Sequence, residues 1–408
     1  MRQRRLGWPC AALVAAIGCS ILVPSTATGQ PPSSDPIGEF ILQSPGKAPS
    51  PRGAGFASDY LGPLLRASCP PGVKRVEPEP LDFKMATVPL AGLNPFRKEV
   101  GSLAFVAGFH LTSSDKRFGG LSGIDVREDG GLLAVSDTGD FVWIDLAADG
   151  VTPKALRVAG MLDAKGAAPA RKSDADAEGL ALHGDIALVS FEGNHRILAY
   201  DLGACGAAAR GAPVASKPSG SLTSAFTRAG LEVSNNQGPE GLAITADWML
   251  IAGVETKLGA SSPVSARAIE AAPEFNLAIG KSAPELVGLD ALPADDETGD
   301  ILLYSLHRSS NALSSNVITV VETVLEATLD QSKLSAGVAS EIDERSRKRY
   351  PVASSRVLAA MNVFVTIDNY EGIAAQRLPD GRVRLFLVSD DNFSQSQRTL
   401  LMVYDVRN

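Results

Sequence analysis

The chain has 408 residues, 38 Lys plus Arg against 46 Asp plus Glu, a formal net charge of −8 and only 6% aromatic residues. That acidity disfavours nucleic acid or an anionic membrane as the main partner and suits cation binding or plain solubility. With 39 Gly and 26 Pro, the composition fits many short strands joined by tight turns and leaves little room for long helices.

At the N-terminus, Arg2, Arg4 and Arg5 precede an apolar run from Ala11 to Val23, followed by the small residues Ser25, Thr26 and Ala27. This is the layout of a secretory signal peptide, expected over residues 1–29, which directs the mature protein to the periplasm or the medium. Two refinements are weaker: Arg4-Arg5 as a twin-arginine signal, and Ala16-Ile17-Gly18-Cys19 as a lipoprotein box with anchoring through Cys19. No later run reaches the roughly 18 apolar residues of a transmembrane helix. Residues 30–80 are rich in Pro, Gly and Ser and are expected to be partly flexible, with the folded domain over 81–408. Only Cys69 and Cys205 would remain after cleavage, and an exported pair is free either to bond or to stay as two thiols.

Strand-like stretches begin at Phe83–Val88 and Ser102–Phe109, and then a pattern repeats. A short residue pair ending in Gly opens an apolar strand, a turn follows, a second strand ends in an acid, and a third strand closes the unit. The copies open at Ser122-Gly123, Glu178-Gly179, Glu240-Gly241 and Glu371-Gly372, with a degenerate copy over Glu285–Asp290 and Asp300–Arg308. From anchor to second-strand acid the separations are 15 (Ser122 to Asp137), 14 (Glu178 to Glu192), 15 (Glu240 to Glu255) and 19 (Glu371 to Asp390). The first three anchors are 56 and 62 residues apart, and repeats of that order with several strands each are what propeller blades look like. Five readable units plus the early strands predict an all-β, six-bladed β-propeller whose N-terminal strand completes the last blade. The polar stretches 257–281 and 334–349 are expected as excursions on one face.

In such a ring the anchors point toward one axis and the second-strand acids end nearby. Asp137, Glu178, Glu192, Glu240, Glu255, Glu371, Asp390 and Asp391 therefore form a candidate polyanionic site. Converging carboxylates repel one another unless a cation or hydrogen-bond donors relieve them, and an all-oxygen set suits calcium. The structural alternative is that each Glu of Glu-Gly accepts backbone N–H bonds at the start of its blade. Asp129, Asp185 and Asp380 fall to turns. Of the four histidines, His195 follows the Glu192 corner and is a candidate general base or donor, with a surface role as the alternative. Arg308 stands where other units carry an acid and could orient an anionic substrate. No Gly-x-Ser-x-Gly, His-Glu-x-x-His, P-loop or Cys-x-x-Cys motif is present.

The set Gly120-Leu121-Ser122-Gly123-Ile124, Ser136-Asp137, Glu178-Gly179-Leu180, Pro239-Glu240-Gly241-Leu242-Ala243, Tyr370-Glu371-Gly372-Ile373 and Ser389-Asp390-Asp391-Asn392-Phe393 resembles the phytase-like family, also described by an esterase-like activity of phytase. The likeness runs from about Leu103 to Val406. It implies a secreted or periplasmic bacterial propeller with hydrolase activity, in which calcium held by channel carboxylates bridges substrate phosphates and prepares water. Few Lys or Arg stand at the repeat corners, Arg196, Lys257 and Arg308 being the candidates, which argues against highly phosphorylated substrates. The resulting expectation is a monomeric, calcium-dependent hydrolase of a small phosphate or carboxylic ester. Glu371, Asp390, His195 and Arg308 are its candidate catalytic groups. The competing expectation is a non-catalytic propeller presenting its loops to a cell-envelope partner.

Overall fold

The structure is a computed structural model that describes residues 61–407 apart from 215–236, 247, 256–260, 269–273, 279–283, 295–298, 312–313, 330–347 and 350. The expected signal segment, Cys19, Lys257 and nearly all of the 334–349 stretch lie outside the described residues. No helix among the described residues is long and apolar enough to cross a membrane.

Five antiparallel sheets of four or more strands carry the fold. Blade one runs outward from Leu121–Val126 through Leu132–Ser136 and Asp140–Leu146 to Pro153–Gly160, with Glu79–Leu81 added at its edge. Blade two contains Ala177–His183, Ile186–Phe191, Arg196–Asp201 and Ala212–Pro213. Blade three contains Gly241–Ile244, Met249–Gly253, Ser261–Ala268 and Glu274–Ala278. Blade four contains Glu285–Pro293, Ile301–Asn311, Ser314–Leu325 and Val352–Met361. Blade five takes Asn369–Arg377, Val383–Asp390 and Thr399–Val406 from the end of the chain, then Leu103–Ser113 and Phe83–Thr87 from its beginning.

The innermost strands pack on one another in chain order, and the fifth returns to the first, so the ring is closed. Apolar alternation along each strand places side chains on both faces of every sheet, and the buried residues accordingly fall into five clusters, one between each pair of adjacent blades.

Glycine sets the radius of the hub. A Cβ on Gly123 would lie 2.5 Å from the Glu178 carbonyl oxygen, on Gly179 2.7 Å from that of Glu240, and on Gly288 2.6 Å from that of Glu371. On Gly372 it would come within 3.1 Å of the Ser122 oxygen. Each glycine admits the backbone of the next blade where any side chain would hold it away.

The expectation of six blades is corrected to five. The last unit supplies only three strands, so the early strands at Phe83 and Leu103 are consumed in completing it, and the described residues hold beyond the five sheets only the pair Thr328–Leu329 with Lys348–Arg349. Closure by an N-terminal strand is as expected. The 257–281 stretch is also corrected: its Ser- and Ala-rich strands are the outer half of blade three, paired from Ser261↔Ala278 to Ser265↔Glu274.

Cys69 and Cys205 are joined in a disulfide, Cα to Cα 5.7 Å. It fastens a short helix, Gly62–Ser68, to blade two, where the Ser68 hydroxyl accepts a bond from Asp201 N at 2.8 Å.

Candidate functional site

The anchor residues occupy irregularities in the inner ladders. In blade one the register jumps between Leu121 and Gly123, in blade four between Leu286 and Gly288, and in blade five between Tyr370 and Gly372, leaving Ser122, Val287 and Glu371 as the extra residues. Blade two has the same irregularity opposite Ser190, beside Glu178. A bulge releases one residue from the pairing and re-aims its side chain. In blades one, two and five the residue-plus-glycine pair at the start of the inner strand thus sets Ser122, Glu178 or Glu371 apart from the pairing, whereas in blade four the same slip releases Val287.

Glu178, Glu240, Glu371 and Asp390 are all buried. Glu178 is held well above the usual carboxylate range by burial, then by Glu240, Glu371, Glu192 and Asp176. Glu240 is raised likewise by burial and by Glu255, Glu371 and Glu192, with Arg308 opposing. Burial pushes Glu371 up to about 8 and Glu192 to about 7. Asp390 rises to about 6 through burial and the charges of Asp137 and Asp391. Burial also raises Asp137 and Glu255. These mutual influences bring predicted acids of blades one, two, three and five within electrostatic range of one another.

Three carboxylates stand closest. Single oxygens of Asp176, Glu178 and Glu192 all lie within 4.8 Å of one another. Asp176 belongs to no repeat position and was not legible as a site residue. The Glu192 backbone N–H donates to the Asp176 carbonyl at 2.8 Å, which clips the corner of the second strand to the chain just before the inner one. His195 is half-buried in the turn that starts at Glu192. Asp137 Oδ1 is buried without a hydrogen-bond partner, while its Oδ2 faces Lys172 Nζ at 3.4 Å. Lys172 also lies 3.6 Å from Asp176.

On the opposite side of the cavity, Arg308 Nη1 pairs with Glu371 Oε1 at 2.8 Å, and Nη2 reaches Glu255 at 3.8 Å. Asn369 ties this group together. Its amide nitrogen donates to Glu371 Oε1 at 2.9 Å and to Asp390 Oδ2 at 3.3 Å, and its oxygen accepts from Arg308. Blade four thus contributes a cation where the others contribute acids, and Val287 stands at its anchor position.

Not every predicted acid is available. Asp391 Oδ1 accepts from Gly120 N and Phe393 N, both at 3.0 Å, and Oδ2 from Thr399 Oγ1 at 2.9 Å. Asn392 and Phe393 beside it hold φ of +48° and +49°, the left-handed region, in a turn fixed by these bonds and by Asn392 N donating to Asp390 Oδ1 at 2.6 Å. Arg196 lies over the Phe191 ring at 4.1 Å and donates to Asn194 O at 2.9 Å, so its guanidinium is occupied in the corner of blade two.

A second acidic level lies two residues past the hub glycines. Asp125 accepts from Val126 N and from Leu182 N of blade two, both at 2.6 Å. Asp290 accepts from Ala291 N at 2.7 Å and from Ala375 N of blade five at 2.6 Å. Blades two, three and five have Ala181, Ala243 and Ala374 there. Comparing Gly-Ile-Asp and Gly-Leu-Asp with the three Gly-x-Ala copies would have exposed this pair.

No curated protein matches the chain. Among solved structures, it resembles the pyrroloquinoline quinone domain of a pyranose dehydrogenase from Coprinopsis cinerea, at 11% identity and TM-score 0.39 over 81% of this chain and 98% of that one. It also resembles the glutaminyl cyclase of Myxococcus xanthus, at 12% identity and TM-score 0.37 over 76% and 100%. A third, the calcium structure of a family AA12 carbohydrate-active enzyme from Trichoderma reesei, gives 11% and 0.33 over 82% and 99%. The phytase-like family, described as esterase-like activity of phytase, matches residues 116–393, which is more than half of the chain and includes all five inner strands with their corner acids. The chain belongs to the phytase-like family.

Proposed function

We propose that this protein is an exported, calcium-dependent hydrolase of small phosphate or carboxylic esters, with water as the nucleophile. The observation that carries this reading is the triad Asp176, Glu178 and Glu192, whose oxygens lie within 4.8 Å of one another at the rim of a buried polyanionic cavity. The donor set fits a hard cation: it is all oxygen, it carries excess negative charge, and Asp137 Oδ1 nearby is buried without a partner. Calcium would be held by Asp176, Glu178 and Glu192, with Asp137 and Glu240 as further oxygens. When bound it supplies charge for the developing oxyanion and a more acidic water.

The chain's own groups divide the remaining work. Glu371, pushed up to about 8, is largely protonated at neutral pH and donates to the leaving oxygen. Asp390, near 6, is largely ionised there and accepts the proton of the attacking water. Two carboxyls bridged by one amide and separated in this way can serve as acid and base at the same pH. Arg308 holds an anionic substrate oxygen while keeping Glu371 in place. His195, in the Glu192 turn, is a further donor at the rim. Two fixed cations among so many acids favour a substrate with one or two negative charges over a polyphosphorylated one.

The test is metal analysis of the purified mature protein, together with hydrolysis of aryl phosphates and aryl acetates in calcium and in chelator. Retained calcium and chelator-sensitive turnover, with Glu178→Gln losing the metal and Glu371→Gln keeping it while losing turnover, would support the reading. Absence of bound metal, with turnover no higher than that of Glu371→Gln on every ester, would sink it.

A further inference from the structure

Large apolar side chains among the described residues are buried with few exceptions, and four of those exceptions lie in two turns. Leu93 exposes 95% and Phe96 88% of its surface, and Phe364 70% and Val363 59%. The turns are pinned together at their bases: Thr366 N donates to Leu90 O at 2.6 Å, and Thr366 Oγ1 to Pro89 O at 2.6 Å. Leu90, Ala91 and Val365 at those bases are buried in the core between blades four and five. Each turn is closed by its own backbone bonds, Asn94 N to Ala91 O, Arg97 N to Asn94 O and Val365 N to Asn362 O. The fold therefore anchors two short segments firmly and places their apolar residues on the outside.

Side chains exposing this much of their surface stand proud of the fold, which suits insertion into a deformable phase better than packing into a groove. The charges beside them select the phase. Arg97 and Lys98 follow Phe96 directly; Glu99 is paired with Arg407, and Asp368 with Arg398. The tip is locally cationic on a chain whose net charge is −8. Acidic groups farther off than about 10 Å are largely screened at physiological ionic strength, so this tip can approach an anionic layer that the rest of the surface would avoid. Aromatic and aliphatic tips flanked by basic residues are how peripheral proteins seat at a headgroup boundary.

We infer that the paired turns 89–98 and 362–366 form a docking surface for an anionic lipid bilayer, with Leu93, Phe96, Val363 and Phe364 entering the interface and Arg97 and Lys98 resting on headgroup phosphates.

Sedimentation of the mature protein with phosphatidylcholine vesicles, with and without phosphatidylglycerol, at low and high salt tests this. Binding should require the anionic lipid and weaken with salt. The pair Phe96→Ser and Phe364→Ser should lower the bound fraction roughly tenfold or more with an unchanged melting temperature, since both rings are solvent-exposed. Arg97→Gln with Lys98→Gln should remove the salt dependence. Three results would overturn the inference: no binding to either vesicle, binding that the serine pair leaves intact, or self-association without vesicles that the serine pair abolishes. The last would assign the surface to a second copy of the chain. None depends on hydrolysis, so the docking surface and the proposed reaction can fail separately.

Discussion

Two groups of buried carboxylates, both pushed upward by burial, differ in the partners they meet. Asp125 and Asp290, past the glycines, each accept two backbone N–H bonds, one of them from the neighbouring blade. Glu178 and Glu240, before the glycines, meet chiefly other carboxylates, and Glu371 meets Arg308, the Asn369 amide and Asp390. Burial is nearly equal in the two groups, between 7% and 9% exposure. Burial therefore does not mark function here. What separates the groups is whether the protein itself supplies the donors, because a carboxylate already bonded to backbone is a lock between blades, and one left among like charges awaits a ligand.

Three measurements would break or sharpen that contrast. The largest effect is expected from Asp290→Ala, which leaves the N–H groups of Ala291 and Ala375 without their carboxylate acceptor and should cost about 4 kcal/mol of stability. Its calcium-induced rise in melting temperature should persist, and a variant that loses that rise would place Asp290 in the ligand site. Next, Glu371→Gln should lower kcat by about 100-fold, the scale of one general acid, while leaving the protein at least as stable as the parent. A strong loss of stability in that variant would move Glu371 into the structural group.

The smallest effect is in pH. Glu192, Glu371 and Asp390 have folded-state values of about 7, 8 and 6, all above their unfolded ones. Between the unfolded and folded values the native state holds more protons, so their contribution to stability is complete below about pH 4 and is lost as pH rises through 6 to 8. The metal-free protein should melt roughly 5 °C lower at pH 8.5 than at pH 5.5, and calcium should restore most of the difference at the higher pH. An unchanged or rising melt across that range would mean that these acids are relieved by partners the account omits.

The repeat was legible because propeller geometry imposes a fixed distance between the start of an inner strand and the end of the second, and that distance survives in Ser122 to Asp137, Glu178 to Glu192 and Glu240 to Glu255. The bulges that aim the anchors were not legible, since nothing in Tyr370-Glu371-Gly372 says that a register will slip there. The blade count fails because both early strands, Phe83–Thr87 and Leu103–Ser113, belong to the blade that one of them was expected to close, and no local mark distinguishes them from a blade of their own. Asp176 escaped notice because it lies outside the repeated positions and is brought to Glu178 and Glu192 by a loop. Arg308 was readable as an exception to the pattern, whereas the role of Asn369 in bridging Glu371, Asp390 and Arg308 required coordinates.

Blade five, built from both ends of the chain, fixes the order of assembly. Leu103–Ser113 pairs with Thr399–Val406, so the circle stays open until Thr399–Val406 has been delivered to it. Until then blades one and four each lack a neighbour, and the apolar faces that belong against blade five are bare. A molecule cut short by even its last ten residues would be an open arc whose exposed flanks invite association with other chains. Closure of the ring thus waits on one pairing between strands nearly three hundred residues apart in sequence, Leu103–Ser113 with Thr399–Val406.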